Sequence, residues 1–166
     1  MIFEETRNYL EKLGLPTGDL HDLPTSGKTF PDGAHYRLET PTINSAAALK
    51  SLLKTAKDKG VNINRVDETY GIFRHTIDEI KEYAKIGNAY GAEINMSVGP
   101  RATYDTGATV QTPQGVRVGY RLRGMEQMVR AIEDVKRALD CGIRGILVYD
   151  EGMLWLLNKM REDGEL

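Results

Sequence analysis

Apolar residues recur at helical spacing in two long stretches of the chain. Side chains three or four residues apart lie on the same face of a helix, so this spacing predicts amphipathic helices that bury one side. In the first stretch the predicted core-facing residues are Leu49, Leu52, Leu53 and Ala56. In the second stretch they are Met125, Met128, Val129, Ile132 and Leu139. Between the two stretches, Thr76-Ile77-Asp78-Glu79 is a capping box that predicts the start of another helix.

The three predicted helices end in one shared pattern. A small residue, three further residues, a glycine and an apolar residue follow one another at residues 56–61, 87–92 and 138–143. Glycine adopts the left-handed conformation just past a helix without a steric penalty. Helix ends are therefore predicted near Lys59, Tyr90 and Cys141.

Short β-type segments alternate with these helices. The predicted strands are residues 35–39, 62–66, 93–98 and 145–149. After the last strand, Asp150 is placed to cap a further helix that ends near Gly164. Helical connections favour parallel strands, because the chain must return to the same end of the sheet. Residues 34–166 are predicted to form this domain, and residues 1–33 an N-terminal helix and an irregular arm.

Four strand-helix units are enough for half of a (βα)8 barrel, and this α/β half-barrel is the predicted fold. An open flavodoxin-like parallel sheet is the alternative. A complete barrel needs about 250 residues, whereas this chain has 166. The sheet is thus expected to stay open, to close against another chain, or to belong to a longer protein. Because unpaired strand edges attract partners, a homo-oligomer or a second half-barrel is expected.

Polar residues alternate with apolar ones in the first and third predicted strands. In the third strand the polar set is Glu93, Asn95 and Ser97. Parallel strands that are covered on both faces are usually apolar on both. The polar set is therefore expected to face the interior of a barrel near a ligand site, or else the solvated side of an open sheet.

The longest connection follows the third predicted strand. The glycines that end the helices are 31 residues apart in the first interval, Gly60 to Gly91, and 51 residues apart in the second, Gly91 to Gly142. Loops after strands form the functional face of βα folds, so this enlarged loop is the first place to seek a site. Arg101 offers a planar donor fork for a carboxylate or phosphate there. Alternatively, Arg101 pairs with Asp105 and only fixes the loop.

Acidic residues end three of the predicted strands. They are Glu39, the pair Asp67-Glu68 and the pair Asp150-Glu151. Carboxylates that meet at one rim can act as general acid and base or hold a divalent cation, which makes Glu39 and Asp150 candidate catalytic residues. Alternatively, Asp150 is only a helix cap, and Arg37 and Arg65 neutralise the acids in a salt-bridged interior.

Composition narrows the range of partners. The 22 basic and 24 acidic groups nearly cancel, so no large field of one sign is available for nucleic acid or an anionic membrane. Short apolar runs and the absence of a signal-peptide pattern lead us to expect a cytoplasmic protein. A single cysteine, Cys141, excludes an intrachain disulfide and a zinc–thiolate cluster. The three histidines form no metal-binding motif, and the phosphate-loop and dinucleotide-turn patterns are absent.

Three short motifs carry a resemblance to a known group of proteins. They are Tyr36-Arg37-Leu38-Glu39-Thr40-Pro41, Val98-Gly99-Pro100-Arg101-Ala102 and Gly145-Ile146-Leu147-Val148-Tyr149-Asp150-Glu151-Gly152. Over residues 34–166 the chain resembles the N-terminal half of uncharacterised TIM-barrel proteins grouped with collagenase-like peptidases. The resemblance implies a barrel fold with matching polar positions at Arg37, Glu39, Arg101, Asp105 and Asp150. The true peptidases of this group carry a cysteine-rich signature, so a chain with one cysteine is not expected to have peptidase activity.

Two kinds of function stay open from the sequence. The first is a half-barrel enzyme, of unassigned reaction class, that acts on a small anionic metabolite at the carboxyl ends of the strands. In this hypothesis the substrate-binding residues are Arg37, Arg101 and Asp105, and Glu39 and Asp150 do the acid–base or cation-binding work. The second is a noncatalytic binding or assembly module, or a piece of a larger barrel.

Overall fold

The computed structural model describes residues 3–18, 24, 26–99 and 122–166. Arg101, Asp105 and the rest of the enlarged loop lie outside these residues. The chain divides into two compact units, Met1–Tyr36 and Arg37–Leu166. The described part of the first unit contains helix α1 (Glu4–Lys12) and a turn in which Gly33 N–H donates to Phe30 O.

The second unit alternates strands and helices as the sequence predicts. Its elements in chain order are β1 (Glu39–Thr40), α2 (Ala46–Asp58), β2 (Arg65–Glu68), a 3-10 turn (Ile72–Arg74), α3 (Ile77–Tyr90), β3 (Glu93–Ser97), α4 (Gly124–Asp140), β4 (Gly145–Leu147) and α5 (Glu151–Glu162). The four strands form one parallel sheet in the order β1-β2-β3-β4. The prediction of an α/β fold with a parallel sheet is therefore confirmed. None of the described helices is long and apolar enough to span a bilayer.

Local signals place the helix ends correctly. Helices α2, α3 and α4 end at or one residue before the predicted positions, and Gly60, Gly91 and Gly142 follow them with positive φ. At the start of α3, the hydroxyl of Thr76 accepts from Glu79 N–H while the Glu79 carboxylate accepts from Thr76 N–H, which completes the capping box. These ends are set by short-range hydrogen bonds and backbone sterics, which is why the sequence reveals them.

Strand bounds differ more from prediction than helix ends do. Strand β1 is only Glu39–Thr40 rather than 35–39. Before it, Leu38 N–H donates to the Asn64 side chain instead of to a backbone carbonyl of β2, and after it, Pro41 has no N–H to continue a ladder. Strand β2 runs from Arg65 to Glu68 rather than over 62–66. The consequence is that Asp67 lies within the sheet and Glu39 stands level with the first residue of β2.

The core consists of two clusters of buried side chains. The larger one packs α2 and α3 against Val66, Ile94 and Met96 of one sheet face, and it contains the predicted Leu49, Leu53 and Ala56. The smaller one joins α4, α5 and the segment around β4.

The predicted core face of α4 is partly wrong. Its fully or nearly fully buried residues are Ala131, Val135 and Ala138, whereas Met125 is 74% exposed and Val129 is 51% exposed. Small alanines let the helix approach its neighbours closely. The spacing of apolar residues identifies the apolar face of a helix. It does not show which part of that face is covered by another helix or strand.

Candidate functional site

The two faces of the sheet differ sharply in polarity. Val66, Ile94 and Met96 point to α2 and α3, so the residues between them point to the opposite face. The strand register aligns Glu39, Arg65 and Glu93 in one row across that opposite face. The next row holds Asp67, Asn95 and Gly145. The polar alternation seen in the third predicted strand therefore produces a continuous polar surface.

The first row is an ion-pair ladder. The Nη1 atom of Arg65 lies 3.2 Å from Glu39 Oε2, and its Nε and Nη2 atoms each lie 2.9 Å from Glu93 Oε2. The hydrogen bond to Glu93 and its charge are the main reasons that the pKa of Arg65 is raised, although burial acts slightly against them. All three side chains are about half exposed, so solvent screens the pairs and their contribution to stability is small. Arg65 thus neutralises Glu39, as the salt-bridged alternative expects.

The second row holds a buried carboxyl group. Asp67 is only 6% exposed, and its Oδ1 accepts a hydrogen bond of 2.9 Å from Asn95 Nδ2. The adjacent position in β4 is Gly145, where a Cβ atom would overlap Asn95 Oδ1. Glycine at this position is what allows the Asn95 side chain to lie across the sheet and reach Asp67.

The environment of Asp67 favours its protonated form. Burial raises the pKa of Asp67 most, and the neighbouring Glu39 carboxyl raises it further. The Asn95 amide and the charge of Arg65 act in the opposite direction and do not cancel the effect. A nearby carboxyl group disfavours the charged form of its neighbour. Asp67 therefore holds its proton more readily than an exposed aspartate does.

The raised pKa of Asp67 predicts a pH-dependent gain of stability in Asp67→Asn. Below the usual aspartate pKa of about 3.9 the carboxyl is protonated in the folded and the unfolded chain alike, so it creates no pH dependence. As pH rises towards the raised folded pKa, Asp67 loses its proton first in the unfolded chain, so the contribution of Asp67 to wild-type stability falls. We expect the stability of Asp67→Asn, relative to wild type, to increase across this window and then to stay constant. Urea unfolding at a series of pH values measures it.

Two further variants test the cause of this pH dependence. Glu39→Gln removes one of the groups that raise the Asp67 pKa and should shrink the pH-dependent fall of wild type. Asp58→Asn, at an exposed ion pair with Lys54, controls for the loss of a carboxylate outside the sheet. A difference in stability between Asp67→Asn and wild type that stays constant or shrinks as pH rises through this window would contradict the assignment.

A second buried carboxylate, Glu68, faces the helices. It comes two residues after Val66 in β2, so both side chains point to the same face of the sheet, and the Glu68 side chain is fully buried. Its Oε1 accepts from Tyr70 N–H at 2.6 Å, and its Oε2 accepts from Gly71 N–H at 3.0 Å. Gly71 has a φ of 109°, a backbone conformation that other residues rarely adopt. Glu68 therefore fixes the turn by which the chain leaves β2.

His75 and Tyr83 complete the surroundings of Glu68. His75 Nε2 lies 3.2 Å from Glu68 Oε1, but within the described residues it makes no well-aligned hydrogen bond. The His75 ring stands edge-on to Tyr83 with 5.4 Å between ring centroids, and Tyr83 Oη donates to Ile43 O at 3.1 Å. Burial, and then the charges of Glu68 and Glu79, raise the pKa of Tyr83. The sequence signal that could have revealed this cluster is an acid at a core-facing position of a strand.

The connection after β1 is tied to β2 at the carboxyl end of the sheet. Ile43 N–H donates to Asp67 O at 3.1 Å, and Asn44 Oδ1 accepts from Thr69 N–H at 3.1 Å. Thr42 has a φ of 64°, which is costly for a β-branched residue. Such strain persists where neighbouring contacts over-determine the backbone, and it is frequent next to functional sites.

The predicted catalytic residues Glu39 and Asp150 do not meet. Through Arg65, Glu39 stands level with Glu93 in β3. Leu147, three residues before Asp150, pairs with Ser97, which is four residues further along β3 than Glu93. That offset is about 13 Å along the strand direction. The Asp150 oxygens accept from Met153 N–H at 3.0 Å and from Leu122 N–H at 3.2 Å, so Asp150 caps α5.

The structure leaves the remaining predicted site residues in different positions. Arg37 is partly buried just ahead of β1. Arg101 and Asp105 fall in the part of the chain that the structure does not describe. The residue that sequence reasoning underrated is Asp67, because placing its side chain requires the correct bounds of β2.

Neither a metal site nor a known relative adds to this picture. Within residues 3–18, 24, 26–99 and 122–166, no group of three or more His, Cys, Asp or Glu side chains is arranged to hold a metal ion. No protein-family model matches the chain, and no curated protein matches it. Assignment of function therefore depends on the polar sheet face.

Proposed function

We propose that this protein is a barrel-type enzyme that transfers a proton to or from a small anionic substrate, with Asp67 as the acid–base group. The strand order supports the half-barrel form. Each strand lies beside its neighbour in sequence, as in a (βα)8 barrel, whereas a flavodoxin-like sheet has its first strand between the second and third. Helices α2 and α3 pack on the same sheet face, which agrees with a polar interior on the other.

The observation that carries the proposal is the state of Asp67. A carboxyl that is buried, oriented by Asn95 and raised in pKa by its surroundings can give and take a proton closer to neutral pH than an exposed one. Glu39 helps to raise the pKa of Asp67, which gives this predicted residue a supporting role beside Asp67. Asp150 is assigned to the support of α5 instead, since backbone N–H groups occupy both of its oxygens.

The anionic group of the substrate needs positive charge beyond the described rows. The two described rows contain three acidic residues, Glu39, Asp67 and Glu93. Their one basic residue is Arg65, which already pairs with Glu39 and Glu93. A surface of this kind does not attract an anion by itself. We therefore assign the anionic group to Arg37 and Arg101, with Asp105 orienting Arg101.

Binding and turnover can be tested separately. Small phosphates and carboxylates are screened for thermal stabilisation of the full chain, and each hit is incubated with the protein and followed by mass spectrometry. Arg101→Ala is expected to weaken binding about 10- to 100-fold, the range for hydrogen bonds to a charged group. Asp67→Asn is expected to retain binding and to slow turnover by about 10²- to 10⁴-fold.

Controls keep this test decisive. Asp58→Asn carries the same chemical change on the surface of α2 and should behave as wild type. Turnover that persists in Asp67→Asn at the wild-type rate would exclude Asp67 as the acid–base group. A wild-type chain that no anion in the screen stabilises would contradict the substrate class.

The second candidate function is a noncatalytic assembly module. It is favoured by one observation, an exposed apolar side chain pair on α5, where Leu154 is 57% exposed and Trp155 is 69% exposed. Light scattering and turnover measurements separate the two functions, because assembly without turnover supports only the second.

A further inference from the structure

Helix α5 presents an exposed stripe with a symmetric charge pattern. Its buried side is formed by Met153 and Leu157. On the exposed side, Glu151, Trp155 and Lys159 follow one another at intervals of four residues, which places them along one line of the helix. Leu154 lies beside Trp155 and is also exposed. A large tryptophan that is mostly in solvent is unusual on a surface without a partner.

A groove adjoins this stripe. It has a volume of about 340 Å³, and α4, β4 and α5 form its walls. Its apolar lining includes Val135, Leu139, Ile146, Val148, Leu154 and Leu157. Because Leu154 belongs to both, the stripe and the groove form one surface, with Trp155 as a projection next to a depression.

The charges make this surface complementary to a second copy of itself. Glu151 and Lys159 are equally far from Trp155, four residues to either side. If two α5 helices cross antiparallel at Trp155, Glu151 of each copy lies beside Lys159 of the other at both ends of the contact. A twofold contact requires this kind of pattern, in which the same patch serves both partners.

We infer that the α5 stripe forms a twofold contact between two copies of this chain, in which the Trp155 side chains of the two copies meet at the centre beside Leu154. Lys159 now lies 2.9 Å from Asp163 and 3.9 Å from Glu162 of its own helix. These groups are about half exposed, so exchanging such pairs for a contact with Glu151 of the second copy changes the free energy little. The stripe is small compared with the roughly 800 Å² per partner of a standard interface, so the contact is expected to be weak.

This contact differs from closure of a barrel. Closure would join the outer edges of β1 and β4, whereas the α5 contact joins two helices. The inference is also independent of the acid–base role of Asp67, since none of its residues belongs to the polar sheet face. Loss of the contact and loss of turnover can therefore be observed separately.

Sedimentation velocity of the full chain tests the inference from about 1 μM to 1 mM, the range that brackets a weak dimer. Wild type is expected to dimerise within it, and Trp155→Ala to raise Kd at least about 10-fold, as for a buried aromatic anchor. Glu151→Lys and Lys159→Glu are each expected to weaken the dimer, and the double variant Glu151→Lys/Lys159→Glu to restore it. Restoration is specific to an antiparallel pairing of these two positions.

Val61→Ala and Lys81→Glu change exposed residues of comparable character away from α5 and should leave Kd unchanged. Thermal unfolding of each variant shows separately whether α5 is weakened by a lysine in its first turn. A chain that remains monomeric at all concentrations overturns the inference. So does a dimer that is indifferent to Trp155→Ala, or single charge variants that the double variant fails to rescue.

Discussion

Replacing Glu68 by alanine is expected to lower the free energy of unfolding by about 3–5 kcal/mol, because two backbone N–H groups then lose a charged acceptor in the protein interior. Those N–H groups belong to Tyr70 and Gly71, in the turn that leads from β2 to α3. His75 also loses the carboxylate that stands 3.2 Å from its Nε2. Urea unfolding near neutral pH measures the change in free energy.

Two conservative variants show whether the carboxylate itself matters. Glu68→Gln keeps one oxygen acceptor and the side-chain volume, so its expected loss is smaller, about 1–2 kcal/mol. Glu82→Gln makes the same chemical change at an ion pair with Lys85 on the surface of α3 and is expected to stay within about 0.5 kcal/mol of wild type. A loss below about 1 kcal/mol in Glu68→Ala would mean that the turn does not depend on this side chain.

Replacing Gly145 by alanine is expected to destabilise the sheet by about 1–3 kcal/mol, the usual result of adding a methyl group to a packed interior. The new Cβ would occupy the place of Asn95 Oδ1, and the carbonyl oxygen of Ile94 lies 3.2 Å away and leaves little room on that side. Asn95 must then turn away and release Asp67. The same variant is therefore also expected to lose the acid–base function proposed for Asp67.

A double-mutant cycle identifies the clash. Asn95→Ala alone removes the hydrogen bond to Asp67, and it also removes the atoms that the new methyl group would meet. The combination Asn95→Ala/Gly145→Ala should consequently be less destabilised than the two single changes together, by about 1 kcal/mol. Additive losses would place the strain of Gly145→Ala elsewhere in β4.

The parts of the fold that short-range chemistry determines could be predicted from the sequence. The capping box at Thr76, the cap at Asp150 and the glycines after the helices each involve residues within one helical turn of one another. Their geometry depends little on the rest of the molecule. The alternation of strands and helices followed from these ends, and the parallel sheet followed from the alternation.

The candidate site was less predictable because it depends on register between distant strands. A strand bound that is wrong by two residues moves an acid from the rim to the middle of the sheet, and this happened for Asp67. The pairing of Glu39 with Asp67 also requires β1 and β2 to align, which no local pattern specifies. Helix α4 shows the same limit, since the exposure of Met125 depends on what lies beside the helix.

The neighbour-to-neighbour strand order bears on how the chain tolerates changes in length. The β1 and β2 partners Glu39 and Arg65 are 26 residues apart, and Arg65 and Glu93 of β2 and β3 are 28 apart. Asn95 and Gly145 of β3 and β4 pair across a stretch of 50 residues (95 to 145). In loop-closure entropy the longer stretch costs only about 0.5 kcal/mol more than one of 28. Loop closure by itself therefore opposes insertions and deletions between β3 and α4 only weakly, so the length of this connection can change while the sheet keeps its pairings.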